Sequence, residues 1–405
     1  MPRALVIGGG IGGLTAAIAL HQRGWTVTVL ERAGSLEPVG AGIGLSPNAQ
    51  RALDVIGLGD RVRDLGAWQG EGGMRSPSGR WLARTDVAEV ADRFGGALVA
   101  VHRADLVDVL VSALPDGVLR TASAARLTDA GGPDRPAVVR TDDGAYEAEL
   151  VVGADGVRSG VRGVLFPDHP GPVYSGYTTW RVVVPTPREP FAPHETWGRG
   201  RIWGTQPLKG GRTYAYAAAR APEGERAPEG ELAALHRLFA GWHHPVPAIL
   251  AAADAAQVLR HDVHHMATAL PAYHRGRVAL VGDAAHAMVP MLGQGGNQAI
   301  EDAVVLAHHA GDARDPRLDL AAYTRERLPR TMGIARQAAR TARLEMVGSG
   351  PLVLARNALI ATVSRLGPNL MLKSFESIAD WRPPQATYAA KRPPESLAQR
   401  QGDSS

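Results

Sequence analysis

The sequence predicts a mixed fold of α/β and α+β type: a parallel sheet flanked by helices, an inserted mostly antiparallel β-sheet, and C-terminal helices. Three observations predict it. The chain opens with a β-turn-α-β pattern, residues 171–260 alternate turn residues with β-prone segments, and parallel-sheet character returns at 276–281. Strands that alternate with helices indicate a doubly wound sheet, and short strands between turn residues indicate antiparallel pairing. The chain therefore leaves its first domain and later returns to it.

Composition excludes several classes of protein for this chain of 405 residues. The 44 Lys and Arg residues nearly balance the 40 Asp and Glu residues, and no run of like charges appears, which argues against a nucleic acid partner. The absence of Cys excludes disulfides, Fe–S clusters, a thiol nucleophile and a flavin tethered to Cys. No segment approaches the roughly 18–20 apolar residues of a membrane-spanning helix, and no signal-peptide pattern opens the chain. We expect no integral membrane association and a cytoplasmic location.

The first motif follows a short apolar strand at residues 3–7. GGGIGG at 8–13 fits G-x-G-x-x-G through Gly8, Gly10 and Gly13, and apolar residues recur at helical spacing after it. Such glycines let the backbone approach a pyrophosphate, whose charge meets the N-terminus of the helix. Glu31 ends the second β-rich segment, where an acidic residue accepts hydrogen bonds from an adenosine ribose. The pattern predicts an adenine dinucleotide and leaves the choice between NAD and FAD open.

A second constellation lies at 281–297, where Asp283 follows a strand and a glycine run precedes a helix. A carboxylate at that turn can accept hydrogen bonds from the ribityl hydroxyls of a flavin, which NAD lacks. The positive end of the helix can face the pyrimidine edge of the flavin. This constellation favours FAD. The alternative is a plain loop in which Asp283 only caps a helix.

Three motifs in their order carry a resemblance to a known family. They are GGGIGG with Glu31-Arg32, GADGVRS at 153–159, and GDAAHAMVPMLGQGGNQAIEDA at 282–303; HRADL at 102–106 also matches. The sequence resembles the class A flavoprotein monooxygenases, the FAD-dependent aromatic hydroxylases with the para-hydroxybenzoate hydroxylase fold. It is more similar to the subgroup of salicylate hydroxylase, urate hydroxylase and zeaxanthin epoxidase, over roughly residues 1–385.

The resemblance implies a reaction. NAD(P)H is a transient co-substrate, because the chain has only one strand-linked G-x-G-x-x-G motif. After reduction, a C4a-hydroperoxyflavin formed with O2 hydroxylates or epoxidises an aromatic or polycyclic small molecule. Two alternatives stay open: a non-catalytic FAD-binding homologue, and a flavin-dependent oxidoreductase without oxygen insertion. The chain is expected to be a monomer or a homodimer.

The resemblance also implies how the chain is divided and which residues hold the cofactor. The expected parts are a discontinuous Rossmann-like FAD-binding domain at 1–170 and 271–340, a substrate-binding β-sheet domain at 171–270, a C-terminal helical segment at 341–385 and a flexible tail at 386–405. The implied cofactor-binding residues are Gly10, Gly12, Gly13, Glu31, Arg32, Arg103, Asp155, Asp283, Gly293, Gly295, Gly296 and Asn297. Pro290 is implied to shape the oxygen pocket, and the glycine-rich run at 40–44 gives a mobile flavin backbone clearance.

Substrate contacts are expected on the inserted sheet. Residues 176–181 match the first strand of the family's substrate domain, which places Trp180 and Arg181 at the flavin face. Arg181 is the expected catalytic residue that holds an anionic or phenolate oxygen; the alternative is a surface ion pair. Tyr214 and Tyr216 alternate along one strand and therefore share a face, which lines either the cavity or the core.

Histidines and C-terminal arginines complete the expectations. His261, His264 and His265 have helical ligand spacing, but nothing in the sequence joins them to further ligands, so we expect no metal site. Arg356 and Arg365 are expected on the solvent side of an apolar helix within 352–378.

Overall fold

The computed structural model describes residues 1–36, 41–67, 71–85, 91–93, 95–366 and 375–388. Gly40 of the glycine-rich run and residues 389–405 of the expected tail lie outside the described residues. The strands are β1 (Arg3–Ile7), β2 (Thr26–Leu30), β3 (Gly42–Leu45), β4 (Gly72–Arg75), β5 (Trp81–Thr85), β6 (Val99–His102), β7 (Leu119–Arg120), β8 (Arg126–Asp129), β9 (Ala137–Thr141), β10 (Gly144–Ala148), β11 (Leu150–Gly153), β12 (Val173–Pro185), β13 (His194–Trp197), β14 (Arg201–Leu208), β15 (Arg212–Arg220), β16 (Leu259–His265), β17 (His274–Arg275) and β18 (Val278–Leu280).

The helices lie between and after these strands. They are α1 (Ile11–Gln22), α2 (Pro47–Val55), α3 (Gly59–Arg63), α4 (Arg103–Val111), α5 (Gly160–Leu165), α6 (Glu231–Phe239), α7 (Val246–Ala252), α8 (Asp283–His286), α9 (Gly295–Ala310), α10 (Leu320–Glu345) and α11 (Gly350–Leu366). The described residues also include 3₁₀ turns at Ala255–Gln257 and Pro290–Leu292.

A six-stranded sheet carries the three glycine-containing motifs. Its order is β17-β18-β11-β1-β2-β7, and all pairs except β17–β18 are parallel. The central strands are almost entirely buried, which explains their continuous runs of Val, Leu and Ile. Because β18, β11 and β1 are neighbours, the loops at their carboxyl ends meet at one edge of the sheet. The expected mixed fold, with its parallel sheet and inserted antiparallel sheet, is confirmed.

A seven-stranded sheet has the order β16-β12-β15-β14-β13-β4-β5. Its strands from 173–265 pair antiparallel, as expected, but β4 and β5 come from residues 72–85. They join through a parallel pair between β4 and β13. The boundary expected at residue 170 missed this segment, because pairing between distant strands leaves no local sequence signal. We propose that 72–85 belongs with the substrate-side sheet.

The two faces of this sheet pack on different partners, since neighbouring residues of a strand point to opposite faces. Trp180 and Trp203 lie on the outer face, in a cluster with Phe239 of α6. Tyr177 lies on the inner face, in a cluster with Ala342 of α10 and the loop after β18. The expectation that Trp180 and its neighbour both reach the flavin face is therefore wrong for Trp180. Its indole N–H instead donates to Glu231 at 2.7 Å.

The C-terminal part differs from expectation in two places. Arg356 is 4% exposed and does not face solvent as expected. It donates hydrogen bonds to the carbonyl oxygens of Glu345 and Gly198, and these bonds connect α11 to the end of α10 and to the end of β13. Tyr388, in the expected flexible tail, is buried, and its hydroxyl donates to the carbonyl oxygen of Val304 at 2.9 Å. Within the described ranges, no single helix is long and apolar enough to cross a membrane; only α10 and α11 together, bent by 118°, meet that test.

Candidate active site

The loop after β1 is shaped by two close backbone approaches. Gly8 has φ +111°, and a Cβ there would stand 2.4 Å from the carbonyl oxygen of Ala154. A Cβ at Gly13 would stand 2.0 Å from the carbonyl oxygen of Gly8. Gly10 precedes α1 and no side chain caps that helix. The N–H groups of its first turn therefore offer the positive end of the helix to a pyrophosphate.

Glu31 lies after β2 and faces this loop. Its carboxylate accepts hydrogen bonds from the backbone N–H groups of Gly9 at 2.6 Å and Ala33 at 2.9 Å. Glu31 and Arg103 line a cavity of about 220 Å³ together with the glycine loop. Each carboxylate oxygen keeps a lone pair for a ribose hydroxyl. The cavity and its donor set fit the adenosine end of FAD, while Arg32 is exposed beside it.

Asp283 and Arg103 are brought together from distant motifs. Asp283 begins α8 directly after Gly282, whose φ of +60° favours glycine. Enclosure by the cleft raises the pKa of Asp283, and the charges of His286 and Arg103 oppose that shift. Desolvation and the charge of Arg181 lower the pKa of Arg103, whereas Asp283 raises it. The pair thus connects the adenosine cavity to the substrate side, where a carboxylate can accept ribityl hydroxyls.

Asn297 holds the loop before α9. Its Oδ1 accepts from the backbone N–H of Ser46 at 2.8 Å, and its Nδ2 donates to the carbonyl oxygens of Gly44 at 2.9 Å and Gly293 at 2.7 Å. The amide oxygen and both amide hydrogens are therefore engaged within the protein. The structure gives the Asn297 side chain a role in positioning the loop, whereas the sequence suggested contact with the cofactor.

The other glycines expected at the cofactor divide into two groups. A Cβ at Gly12 would stand 3.1 Å from a methyl group of α9, and one at Gly296 would stand 2.7 Å from Ile43, so both glycines permit close packing. Gly295 borders the cleft, because its Cβ position lies 3.8 Å from the Asp283 carboxylate. Pro290 starts the 3₁₀ turn that follows this cleft.

Asp155 follows β11, and its carboxylate accepts hydrogen bonds at the N-terminus of α5. It accepts from the Ser159 hydroxyl at 2.5 Å and from the backbone N–H of Val161 at 3.0 Å, which caps the first turn. The expected contact between this side chain and the pyrophosphate competes with these bonds. Arg162, which the sequence did not single out, donates to the carbonyl oxygen of Ala284 at 3.0 Å. It thereby ties this motif to α8.

Arg181 lies on the inner face of the seven-stranded sheet and faces the cleft. Burial raises the pKa of Tyr214, and the charge and hydrogen bond of Arg181 oppose that shift. His261 shares this face from β16; burial lowers its pKa, and the charges of Arg181 and Arg103 lower it further. The ring of Tyr214 packs on Gly42, where a Cβ would stand 2.5 Å away. These contacts place Arg181 beside the cofactor cleft.

Tyr216 adds an acidic partner to the same face. Its ring centroid lies 5.6 Å from that of Tyr214, and its hydroxyl donates to Glu195 Oε2 at 2.7 Å. The Trp197 indole N–H donates to the other oxygen of Glu195. Glu345 of α10 is 1% exposed, and one of its carboxyl oxygens has no hydrogen-bond partner among the described residues.

These two carboxyl groups influence each other. Burial raises the pKa of Glu195, and the hydrogen bonds from Tyr216 and Trp197 oppose that shift. Burial and the charge of Glu195 raise the pKa of Glu345 well above its ordinary value. Glu195, with two hydrogen-bond donors, therefore holds a negative charge more readily than Glu345. Sequence analysis missed both, since an isolated Glu carries no pattern.

A buried ionic network lies beneath the glycine loops. Arg327 of α10 donates to Asp302 at 2.7 Å and to Glu301 at 2.5 Å, and all three side chains are fully buried. Asp302 also accepts from the backbone N–H of Gly282 at 2.9 Å and from His286 at 2.5 Å. Burial alone raises the pKa of Asp302, but His286 and Arg327 outweigh it and hold the pKa at about 2. The network fixes the loop that carries Asp283.

The expected histidine cluster lies on strand β16 rather than on a helix. His264 pairs with Glu223 at 2.8 Å, whereas His261 faces Arg181. In the part of the chain that the structure describes, no group of three or more His, Asp or Glu side chains is arranged to hold a metal ion.

Comparison with known proteins agrees with this site. The chain matches the FAD binding domain family over residues 2–338. It is 37% identical over 307 residues to an aurachin C monooxygenase/isomerase of Stigmatella aurantiaca, covering 75% of this chain and 79% of that protein. It is 35% identical over 392 residues to a 3-amino-4-hydroxybenzoate 2-monooxygenase of Streptomyces platensis, covering 93% of this chain and 96% of that one.

A solved structure of an FAD-containing protein also resembles this chain. The structure of Klebsiella pneumoniae HpxO complexed with FAD and uric acid has a TM-score of 0.84 at 28% identity, covering 93% of this chain and 97% of that one. The resemblance drawn from the three motifs, and FAD as the cofactor, are confirmed. The chain belongs to the FAD-dependent aromatic hydroxylases, the class A flavoprotein monooxygenases.

Proposed function

We propose that the chain uses NAD(P)H and O2 to add one oxygen atom to a small aromatic molecule that bears a hydroxyl, amino or ring N–H group. The observation that carries this proposal is the Tyr216–Glu195 hydrogen bond on the face that also holds Arg181. When bound, FAD supplies the redox chemistry, accepting a hydride from NAD(P)H and activating O2. The protein holds the cofactor, orients the aromatic ring and excludes water.

Tyr216 determines which substrate group fits. Its hydrogen is directed at Glu195, so the lone pairs of its oxygen remain to accept a hydrogen bond from a substrate O–H or N–H. The hydrogen bond that Tyr216 donates to Glu195 makes the tyrosine oxygen a better acceptor. Arg181 lies across the strand pair from Tyr216 and holds the oxyanion that develops when the ring is activated. The relative from Streptomyces platensis is named for a substrate with both an amino and a hydroxyl group.

Residues expected to hold the cofactor support the same proposal. Gly10 and Glu31 border the adenosine cavity, Gly13 permits the close backbone approach next to it, and Asp283 with Gly295 borders the cleft beyond it. Pro290 begins the 3₁₀ turn after this loop, and its neighbours Val289 and Met291 pack with the inner face of the sheet. From that position Pro290 would limit access to a bound flavin.

A substrate screen tests this function. Phenols and anilines are expected to stimulate NAD(P)H oxidation by the FAD-loaded protein without an equivalent release of hydrogen peroxide. The matched O-methyl ethers are expected to stimulate it at least tenfold less, because they cannot donate to Tyr216. Equal stimulation by phenols and ethers would contradict the role of Tyr216. Failure of every aromatic to stimulate oxidation would contradict the proposed reaction.

Arg181→Ala is expected to keep FAD and to lose coupling. A charge-assisted hydrogen bond of about 1.5–3 kcal/mol disappears, so the KM for a phenolic substrate rises roughly tenfold or more. Product formed per NAD(P)H consumed also falls, since the ring is no longer held in place. The control is Arg188→Ala, which removes an exposed arginine. Unchanged KM and coupling would show that Arg181 does not contact the substrate.

A further inference from the structure

A second cavity, of about 300 Å³, lies between the start of β12 and α10. Tyr177, Arg220, His265 and Arg343 line it. Tyr177 precedes Arg181 by four residues on the same strand face, which separates them by roughly 13 Å at about 3.3 Å per residue. A simple hydroxybenzoate is too short to span that distance, so this cavity is a place of its own.

Three buried polar atoms of residues that line this cavity have few partners. Among the described residues, the Tyr177 hydroxyl, the Ser175 hydroxyl and His265 Nδ1 have no partner beyond the contact that Tyr177 and Ser175 make with each other. Tyr177 itself is only 4% exposed; burial raises its pKa, and the hydrogen bond with the Ser175 hydroxyl opposes that shift. This contact uses only one of the two hydroxyl hydrogens. Because buried polar atoms usually have a partner, the second hydroxyl and His265 Nδ1 indicate a missing ligand with acceptor atoms.

The charge of the cavity is positive. Arg220 donates to the carbonyl oxygen of Met346 at 2.9 Å, and within the described ranges neither Arg220 nor Arg343 lies within 4 Å of a carboxylate. Burial and the charge of Glu195 raise the pKa of the nearby Glu345, which disfavours a negative charge at that carboxyl group. Two arginines, two hydroxyls and an imidazole are donors that suit a carboxylate.

The remaining wall is apolar. Val289, Ala342 and Met346 line it opposite the polar atoms. The volume accommodates one aromatic ring with an acidic group. We propose that this cavity binds the carboxylate of a small aromatic acid, either a separate molecule or the acidic tail of an extended substrate.

Binding of benzoate to the FAD-loaded protein, measured by calorimetry at low salt, tests this site without turnover. Tyr177→Phe is expected to weaken benzoate binding about tenfold, and Arg343→Gln is expected to weaken it about fivefold. Arg340→Gln, which removes an exposed arginine of the same helix outside the cavity, is the matched control and should bind within twofold of wild type. Arg181→Ala should also bind within twofold, since it lies at the other site.

Three results would overturn the assignment: no benzoate binding to the wild type, binding within twofold of wild type by either cavity variant, or weakening of more than twofold in Arg181→Ala. Because no NAD(P)H is present, these outcomes do not depend on the proposed reaction.

Kinetic measurements with a phenolic substrate from the screen then distinguish a separate aromatic acid from the acidic tail of an extended substrate. Competitive inhibition by benzoate indicates that the substrate's own carboxylate enters the cavity. Arg343→Gln then raises KM only for phenols whose carboxylate is carried on a chain long enough to reach the cavity. A change in turnover without competition indicates a separate acid.

Discussion

Asp283→Ala is expected to weaken FAD binding at least 100-fold, because a cleft carboxylate that accepts two ribityl hydroxyls contributes about 1.5–3 kcal/mol per hydrogen bond. The variant also leaves the charge of Arg103 without its neighbouring carboxylate. The measurement is the dissociation constant of FAD, obtained by titrating apoprotein and following flavin fluorescence.

Asp142→Ala is the matched control for this change, since Asp142 is exposed and lies far from the cleft in the sequence. It should bind FAD as wild type does. Asp283→Asn should fall between the two, because the amide oxygen still accepts a hydrogen bond but carries no charge. Wild-type affinity in Asp283→Ala would show that the ribityl chain is held elsewhere.

Arg327→Met is expected to lower the free energy of unfolding by about 3–5 kcal/mol, since it leaves a buried charge without its partner. Asp302 keeps only His286 and the Gly282 N–H, and Glu301 keeps Arg330. Because the network holds the loop of Asp283, FAD affinity should fall as well. Urea denaturation of the apoprotein measures the loss of folding stability separately from the loss of FAD affinity.

Arg336→Met provides the control, because Arg336 is an exposed residue of the same helix. Its effect should stay within about 0.5 kcal/mol. A loss below about 1 kcal/mol in Arg327→Met would mean that water or a shift of α10 compensates the buried carboxylates.

The parts of the fold that sequence predicts are those with local signals. The glycine motif with Glu31 predicts a nucleotide-binding strand-turn-helix, because each glycine meets a backbone constraint that a Cβ violates. The position of Asp283 is predicted in the same way, because it directly follows a strand and a glycine with positive φ. The convergence of these loops follows from parallel strand order and needs no side-chain information.

Other features depend on pairing between distant segments, which a single sequence does not reveal. Strands β4 and β5 join the second sheet through β13, and Arg356 is buried because α11 folds back onto that strand. Trp180 lies on the face opposite to Arg181, because successive side chains of a strand point to opposite sides of the sheet. Glu195 becomes a candidate only when Tyr216 is seen to donate to it.

The central claim is that this chain inserts an oxygen atom from O2 into an aromatic substrate. The most direct measurement is turnover of the best-coupled phenol or aniline under ¹⁸O2, with mass spectrometry of the product and a parallel count of NAD(P)H consumed. The account predicts one ¹⁸O atom in each product molecule and nearly one product per NAD(P)H. Product oxygen that derives from water, or recovery of all reducing equivalents as hydrogen peroxide, would contradict it.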